Sequence, residues 1–525
     1  MKKALSLLLV PALIASCVNR PAQNNVNVST PASSQNAKPA SPGAQNTGQP
    51  SSNPASSTPS SNQSALPSAS GEITEDTALR QSLVDLLRQQ LPDVKELPVV
   101  STVANEHAIQ LASDPKATEF RVKAVYDPVA PGALQTRLLQ EGVFPSDNLV
   151  NAYLSDGSPE GVRTRFLRQV QSLIGPVDFS NFGLGVAKRG GNWYVSLVML
   201  TQILHIENLP LSIDSSGNRS IQGQILLAGF SQPKILMTKP DGTVQAVDAK
   251  SSSDSFQADL PLDQSGLYSF EVNVQGPLGP LPATNFILAV GAKYPSAQPV
   301  DEHSESLGNL DQARQSLIDL VNRDRQAMGL SVLQPDSKLD QAAQSHSDDM
   351  VANGFIGHNS PTQGTPQQQA AAFGVSDLVS QNLAVSRSLS NSQRELMSSP
   401  GHRRTILEPN HTHVGFGIKP GPDGFLYITQ VFVQRKLDIE TLPTKVPRGQ
   451  SFTIHGKAAQ KGFVGVFDND KIIGDYIEVE QGQVFQLPAV LNTTGKQRLR
   501  IGFAPPGGSN LFFTFYNIWD LEVSP

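Results

Sequence analysis

Side chains able to do chemistry are few in this 525-residue chain, which holds nine histidines and one cysteine. Two histidines sit in short segments rich in Gly, Ser and Pro. His358 lies within Gly354-Phe355-Ile356-Gly357-His358-Asn359-Ser360-Pro361, and His402 within Ser399-Pro400-Gly401-His402-Arg403. A pair of imidazoles can hold zinc or another borderline metal, or pass a proton near neutral pH. Their separation of 44 positions (402 − 358) leaves open whether they meet. His346 shares an apolar helical face with Leu339, Ala342 and Ala343, the setting of a satisfied core histidine. His411 and His413, two residues apart at the approach to a strand, read as a solvated face. No Ser-His-Asp order, nucleophile elbow or cysteine nucleophile is present, so covalent catalysis has no candidate. Gly421-Pro422-Asp423-Gly424 has the composition of a turn, not of a phosphate loop.

The elements around these residues follow two periodicities. Leu317, Ile318, Leu320 and Val321 recur at helical spacing, and Gly329 just past them predicts a C-cap. Short strands follow at 414–418 and 426–433, across the turn at 421–424. Beyond them the helical signal stops. Strands are expected at 451–456, 463–467, 476–480, 484–487, 497–503 and 511–523, which fits a small antiparallel sandwich. The same order occurs earlier in the chain. Arg80-Gln81-Ser82-Leu83-Val84-Asp85-Leu86 answers Arg314-Gln315-Ser316-Leu317-Ile318-Asp319-Leu320 at an offset of 234. Phe182-Gly183-Leu184-Gly185-Val186 answers Val414-Gly415-Phe416-Gly417-Ile418 at 232, and Phe256-Gln257 answers Phe485-Gln486 at 229. So long a period predicts a duplicated pair of domains rather than a solenoid.

Composition bounds the rest. Forty basic against 46 acidic side chains exclude a broadly basic nucleic-acid footprint. A single cysteine, Cys17, excludes a disulfide framework and a cysteine-based zinc site. The chain opens Met1-Lys2-Lys3, followed by an apolar run from Ala4 to Ala15 that is too short to span a bilayer. That run ends Ile14-Ala15-Ser16-Cys17, which resembles the bacterial lipobox and makes Cys17 the expected lipidation site. Val18 to Gly71 is Ser, Pro, Asn, Gln, Ala and Thr, with Arg20 and Lys38 as its only Lys or Arg. It cannot bury enough apolar surface to order itself and reads as a tether spanning roughly 40 Å.

Residues 310–434 resemble the CAP superfamily (cysteine-rich secretory proteins, antigen 5 and pathogenesis-related 1 proteins) in its bacterial, cysteine-free form. The resemblance rests on Val321-Asn322, Arg325, Gly329-Leu330, Leu339, Ala342-Ala343, His346-Ser347 and Met350. It extends through the two histidine segments to Val414-Gly415-Phe416-Gly417 and Thr429-Gln430-Val431. It implies an α-β-α sandwich whose cleft is lined by two histidines and acidic residues. His358 and His402 match the cleft histidines. The family's Gly-Glu-Asn element is Ser380-Gln381-Asn382 here, so Gln381 replaces a carboxylate with a neutral amide. An amide cannot hold a cation or accept a proton as a carboxylate does. Glu395 is a further cleft neighbour, although Leu396 stands where the family carries an aromatic residue. In the first copy Lys123 and Val170 fall at the two histidine positions, which implies a lost site.

The expected fold class is α+β. CAP domains with an α-β-α sandwich, the second clear and the first degenerate, alternate with β-sandwiches in a tandem duplication. The expected division is a signal peptide (1–16), lipidated Cys17 with the tether (17–72), a degenerate CAP-like domain (73–202) and a β-sandwich (203–298). A linker (299–309), the CAP domain (310–435) and a second β-sandwich (436–525) follow. The expected function is that of a membrane-anchored envelope lipoprotein whose CAP domain binds a lipid, peptide or envelope-protein ligand without turnover. The alternative is a metal-assisted hydrolase of cell-wall or protein substrates, with Zn or Ca held by His358 and His402. Val18 after Cys17 offers no inner-membrane retention signal, which points to the outer membrane or cell surface.

Overall fold

The computed structural model describes residues 16–17, 26–29, 71–113, 133–146, 149–173, 179–252, 254–295, 307–422, 424–440, 442–468, 471–506 and 510–525. The apolar run, most of the tether, Lys123 and residues 299–306 of the linker lie outside them.

The sheet that carries the cleft residues has the order Val379–Ser386, Leu426–Val433, His413–Pro420, Gln334–Pro335, with Ser16–Cys17 paired to the outer side of Val379–Ser386. Its three long strands are antiparallel. Alternation along them separates two faces. Val431, Val433 and Val379 pack with Leu339, Ala342 and Ala343 of the helix Ser337–Asn353. Phe416, Ile418, Ile428 and Phe432 pack with Leu317, Ile318 and Val321 of the helix Leu310–Ala327. Asn309 and Asp336 cap these helices by accepting backbone N–H groups. The expected stop at Gly329 is present: its φ is +71°, and Leu330 N–H returns to Arg325 O at 2.9 Å.

Gly415 and Gly417 set how closely helix and sheet approach. A Cβ at Gly415 would lie 2.3 Å from Asp340 N, and one at Gly417 would lie 2.1 Å from Ala343 O. Only glycine lets the backbones meet this closely.

An earlier sheet has Ile73–Glu75, Asn181–Arg189, Asn192–Leu200 and Leu149–Asp156 in that order. Its contacts match those of the later sheet in kind. Arg80 Nε donates to Leu184 O and Arg314 Nε to Phe416 O, each at 3.0 Å. Leu184 N–H donates to Ser101 Oγ and Phe416 N–H to Asp340 Oδ1.

Each of these sheets is followed by a pair of all-β sheets. The first pair encloses Ile221, Ile235, Phe256, Leu260, Phe270, Val272 and Phe286. The second encloses Ile454, Val464, Val466, Phe485, Leu487, Ile501 and Phe503. Strict alternation of exposure and burial along Val484–Val490 shows how period two builds such a core. The strands expected beyond residue 450 stand at Ser451–Ala458, Gly462–Asp468, Ile477–Val479, Val484–Val490, Gly495–Ala504 and Asn510–Ser524.

Candidate functional site

His358 lies in the loop that leaves the helix Ser337–Asn353. Gly354, at φ +64°, ends that helix. Asp349 organises the loop by accepting from Ser360 Oγ, from Thr362 Oγ1 at 2.8 Å and from Asn353 Nδ2 at 2.6 Å. Burial opposes its charge, but these donors hold its carboxyl below the usual range.

The proton on His358 is fixed by a chain of amides. Gln369 Nε2 donates to His358 O and to Gly364 O, each at 2.8 Å, so Gln369 Oε1 is an acceptor. Gln381 Nε2 donates to that oxygen at 3.1 Å. Gln381 Oε1 therefore faces His358 Nδ1, 2.8 Å away, and the proton sits on Nδ1. Gln381 thus orients the imidazole as a carboxylate would, but adds no charge.

His402 is held in the helix Pro400–Ile406. Ser399 caps this helix, accepting from His402 N–H at 3.5 Å, and its Oγ lies 2.8 Å from His402 Nδ1. Asn382 Nδ2 donates to His402 O and to Gln430 Oε1, each at 3.3 Å. Gln381 and Asn382 are neighbours on one strand and so face opposite sides of the sheet. His358 therefore meets Gln381 on one side of the strand, and the backbone carbonyl of His402 meets Asn382 on the other. Glu395 is buried on the helix Leu389–Ser398. Among the described residues no three His, Cys, Asp or Glu side chains converge as a set that could hold a metal ion.

Both histidines are buried, His358 at 2% exposure and His402 at 0%. The first all-β unit covers them. Asn359 N–H donates to Leu278 O at 3.1 Å, and Ser269 Oγ to Ser398 O at 3.4 Å. Arg403 Nε donates to Gly242 O at 2.9 Å. A Cβ on Gly279 would sit 3.7 Å from His358 Cβ. Glu271 of the same unit hydrogen-bonds Ser399 Oγ, and Gly401 N–H reaches the same carboxylate at 3.4 Å. Asn273 Nδ2 donates to its other oxygen at 2.6 Å. Burial pushes Glu271 up to about 7 against the pull of these donors. In the sequence Glu271 alternates with Phe270 and Val272, which is the pattern of a solvated strand face, so nothing singled it out.

His346 is buried, with Nε2–H donating to Gly357 O at 3.0 Å, and burial lowers it to about 4. The expectation of a solvated face at His411 is wrong. His411 is buried, its ring stacked on Phe432 at 5.4 Å and its Nδ1 3.0 Å from Thr405 O. The strand begins only at His413, so period two does not extend back to His411. In the earlier unit Val170 is part of the apolar core. A polar group there joins His107 Nδ1 and Asn151 Nδ2 to Ser196 Oγ, at 2.8 and 2.9 Å.

Residues 318–433 match the model of the cysteine-rich secretory protein family, CAP. Over 103 residues the chain is 37% identical to the uncharacterized protein YkwD of Bacillus subtilis, a stretch covering 19% of this chain and 40% of YkwD. The chain thus spans about two fifths of that curated relative. Among solved structures, it is similar to an extracellular protein containing an SCP domain from Bacillus anthracis. The identity is 16%, the match covers 45% of this chain and 86% of that one, and the TM-score is 0.23. It is also similar to a cysteine-rich secretory protein from Staphylococcus aureus, at 12% identity, with 65% and 98% covered and a TM-score of 0.22. By the family match, residues 318–433 are a CAP domain.

Proposed function

We propose that this chain is a bacterial envelope lipoprotein whose CAP domain, residues 310–435, is a protein-interaction module and not an enzyme. The observation that carries this reading is the state of the cleft. Its histidine face is packed against a protein surface, the first all-β unit, and the partner of His358 is the neutral Gln381. A buried face held by backbone and side-chain hydrogen bonds is built for recognition. A hydrolytic site needs access for substrate and a group able to take a proton.

The wider architecture in this reading is a duplicated pair of a CAP-like unit and a β-sandwich, with boundaries at 73–202, 203–298, 310–435 and 436–525. It is supported by the matched contacts of Arg80 with Arg314 and of Ser101 with Asp340. A signal peptide (1–16), Cys17 as the lipid-bearing residue and the stretch to 72 as a tether would hold the folded units away from a membrane. Several acyl chains together anchor firmly, at about 0.8 kcal/mol per buried CH₂. Among the described residues no helix is long and apolar enough to cross a membrane.

Two measurements test the reading. Full-length protein and His402→Ala should show no difference in a hydrolase screen run with and without zinc or calcium; turnover that needs metal and is lost in the variant would overturn the non-enzymatic role. Cys17→Ser should abolish incorporation of labelled palmitate and release the protein from the membrane fraction.

A further inference from the structure

The long strand Asn510–Ser524 closes the second all-β unit. Gly495–Ala504 pairs with most of its length. Other segments succeed one another along it. Lys445–Pro447 runs parallel to residues 522–524. Residues 376–378 of the CAP domain meet its middle, where Leu378 N–H donates to Tyr516 O at 2.8 Å and Ile518 N–H to Ser376 O at 2.9 Å. At its hairpin end, Val26–Ser29 pairs antiparallel with residues 510–513, Val28 opposite Leu511. This last partner comes from the stretch read as a tether.

Both sequences suit the pairing. Leu511-Phe512-Phe513-Thr514-Phe515 is an uncharged run of high β propensity, a hazard wherever its edge stands bare. Phe513 and Phe515 fix the strand in place by packing on Phe467, at 5.3 and 4.9 Å between ring centres. Within residues 18–71, Val26 and Val28 are the one place where β-branched aliphatic residues alternate. They lie between Pro21 and Pro31, in the longest run of that stretch free of proline and charge. Proline would remove a donor that a strand ladder needs. The strand that holds the same place in the first all-β unit, Gly279–Val290, has a similarly bulged pairing with its neighbour. Its hairpin end meets the CAP loop, with Asn359 N–H donating to Leu278 O. The hairpin end is thus met in both units, once by a folded domain and once by the tether.

We propose that Val26–Ser29 is a strap: a strand of the tether that completes the sheet of the second all-β unit and holds that unit close to the membrane. The surface is the strand edge at residues 510–513. Its occupant is this chain's own uncharged segment, bound through the main chain as in β-strand addition. The consequence for reach rests on the reading of Cys17 as the lipid-bearing residue. From Cys17 to Gly71 a coil spans roughly 40 Å. From Cys17 to Val26 the nine residues (26 − 17) extend to about 30 Å at most, and average about 17 Å as a coil. Removal of the signal peptide takes away Ser16, and with it the pairing of Ser16 with Asn382, but leaves the strap whole. Strapped, the second all-β unit is the membrane-proximal end of the protein, and residues 30–70 add nothing to its distance from the bilayer.

Cross-linking tests the pairing in full-length Cys17→Ser protein, which has no other cysteine. Opposite positions of an antiparallel pair lie within disulfide reach, and a shift of one residue turns a side chain to the other face. In a glutathione redox buffer, Val28→Cys with Leu511→Cys should form an internal disulfide about tenfold faster, or more, than Val28→Cys with Phe512→Cys. Equal rates in the two pairs would overturn the strap, and so would a disulfide formed between two chains. A second measurement uses protein lipidated at Cys17 in vesicles that carry an acceptor lipid. The donor dye sits on Thr453→Cys, an exposed position of the second all-β unit. Energy transfer should fall when Asn27→Pro and Val28→Pro are combined, because one of two adjacent N–H groups faces the partner strand. Transfer unchanged by the prolines would overturn the role in reach. The cross-link needs no lipid, so it decides the pairing even where the lipoprotein reading fails.

Discussion

Gln381 shows how one side-chain exchange changes what a site can do without changing its shape. The amide keeps the hydrogen bond that orients His358 and gives up the negative charge. Because Gln381 is buried and bonded at both ends, removing it strands two partners, His358 Nδ1–H and Gln369 Oε1. Gln381→Leu should therefore cost about 2 kcal/mol of stability, measured by urea titration. Arg325 makes a similar case. It is fully buried and donates to Ser331 O, Ile406 O and Glu408 O at 2.8, 2.7 and 2.9 Å. Lysine has no planar fork with which to span three carbonyls. Arg325→Lys should lower stability by about 2–3 kcal/mol, and little change in the denaturation midpoint would refute this bridging role.

At the scale of elements, the Gly-x-Gly spacing on the strand His413–Pro420 decides where the helix Ser337–Asn353 can lie, and that helix leads into the loop carrying His358. Gly417→Ala would force a Cβ into Ala343 O, and neither backbone can yield without moving the other. The expected cost is about 3 kcal/mol or more. Gly191→Ala, where a Cβ meets nothing within 4 Å, should change stability by less than about 0.5 kcal/mol. Thermal melts of the two variants check the contrast.

For the whole molecule, the joint between the first all-β unit and the CAP domain is linked to pH through Glu271. Its proton is held more tightly when the units are docked, because burial penalises the charge. Docking is therefore strongest below the ordinary value of 4.5, weakens as pH rises from there to about 7, and is level above. The span corresponds to a loss on the order of 3 kcal/mol. Protection from hydrogen exchange at residues 355–360 and 399–404, corrected for the intrinsic rise of exchange with pH, should fall over that window in the wild type and stay flat in Glu271→Gln. Equal pH dependence in both proteins would remove Glu271 as the linked group.

Much of this organisation was legible in the sequence because periodicity and glycine spacing are local. Leu317 to Val321 predicted a helix and Gly329 its stop, and the alternation beyond residue 450 predicted strands. The histidines could be named from their type alone, and the resemblance to the CAP family pointed to Gln381 before any fold was known. A residue's surroundings are not so legible, and three outcomes turned on them. His411 became core by stacking on Phe432. His358 acquired a fixed tautomer through Gln369, a residue with no local signal. Glu271, 128 residues before Ser399, came to sit beneath it. Local pattern fixes which way a side chain points along its own strand or helix. Which surface covers that face, and so which charges lose their water, is a matter of contacts distant in sequence, and only the tertiary structure supplies them.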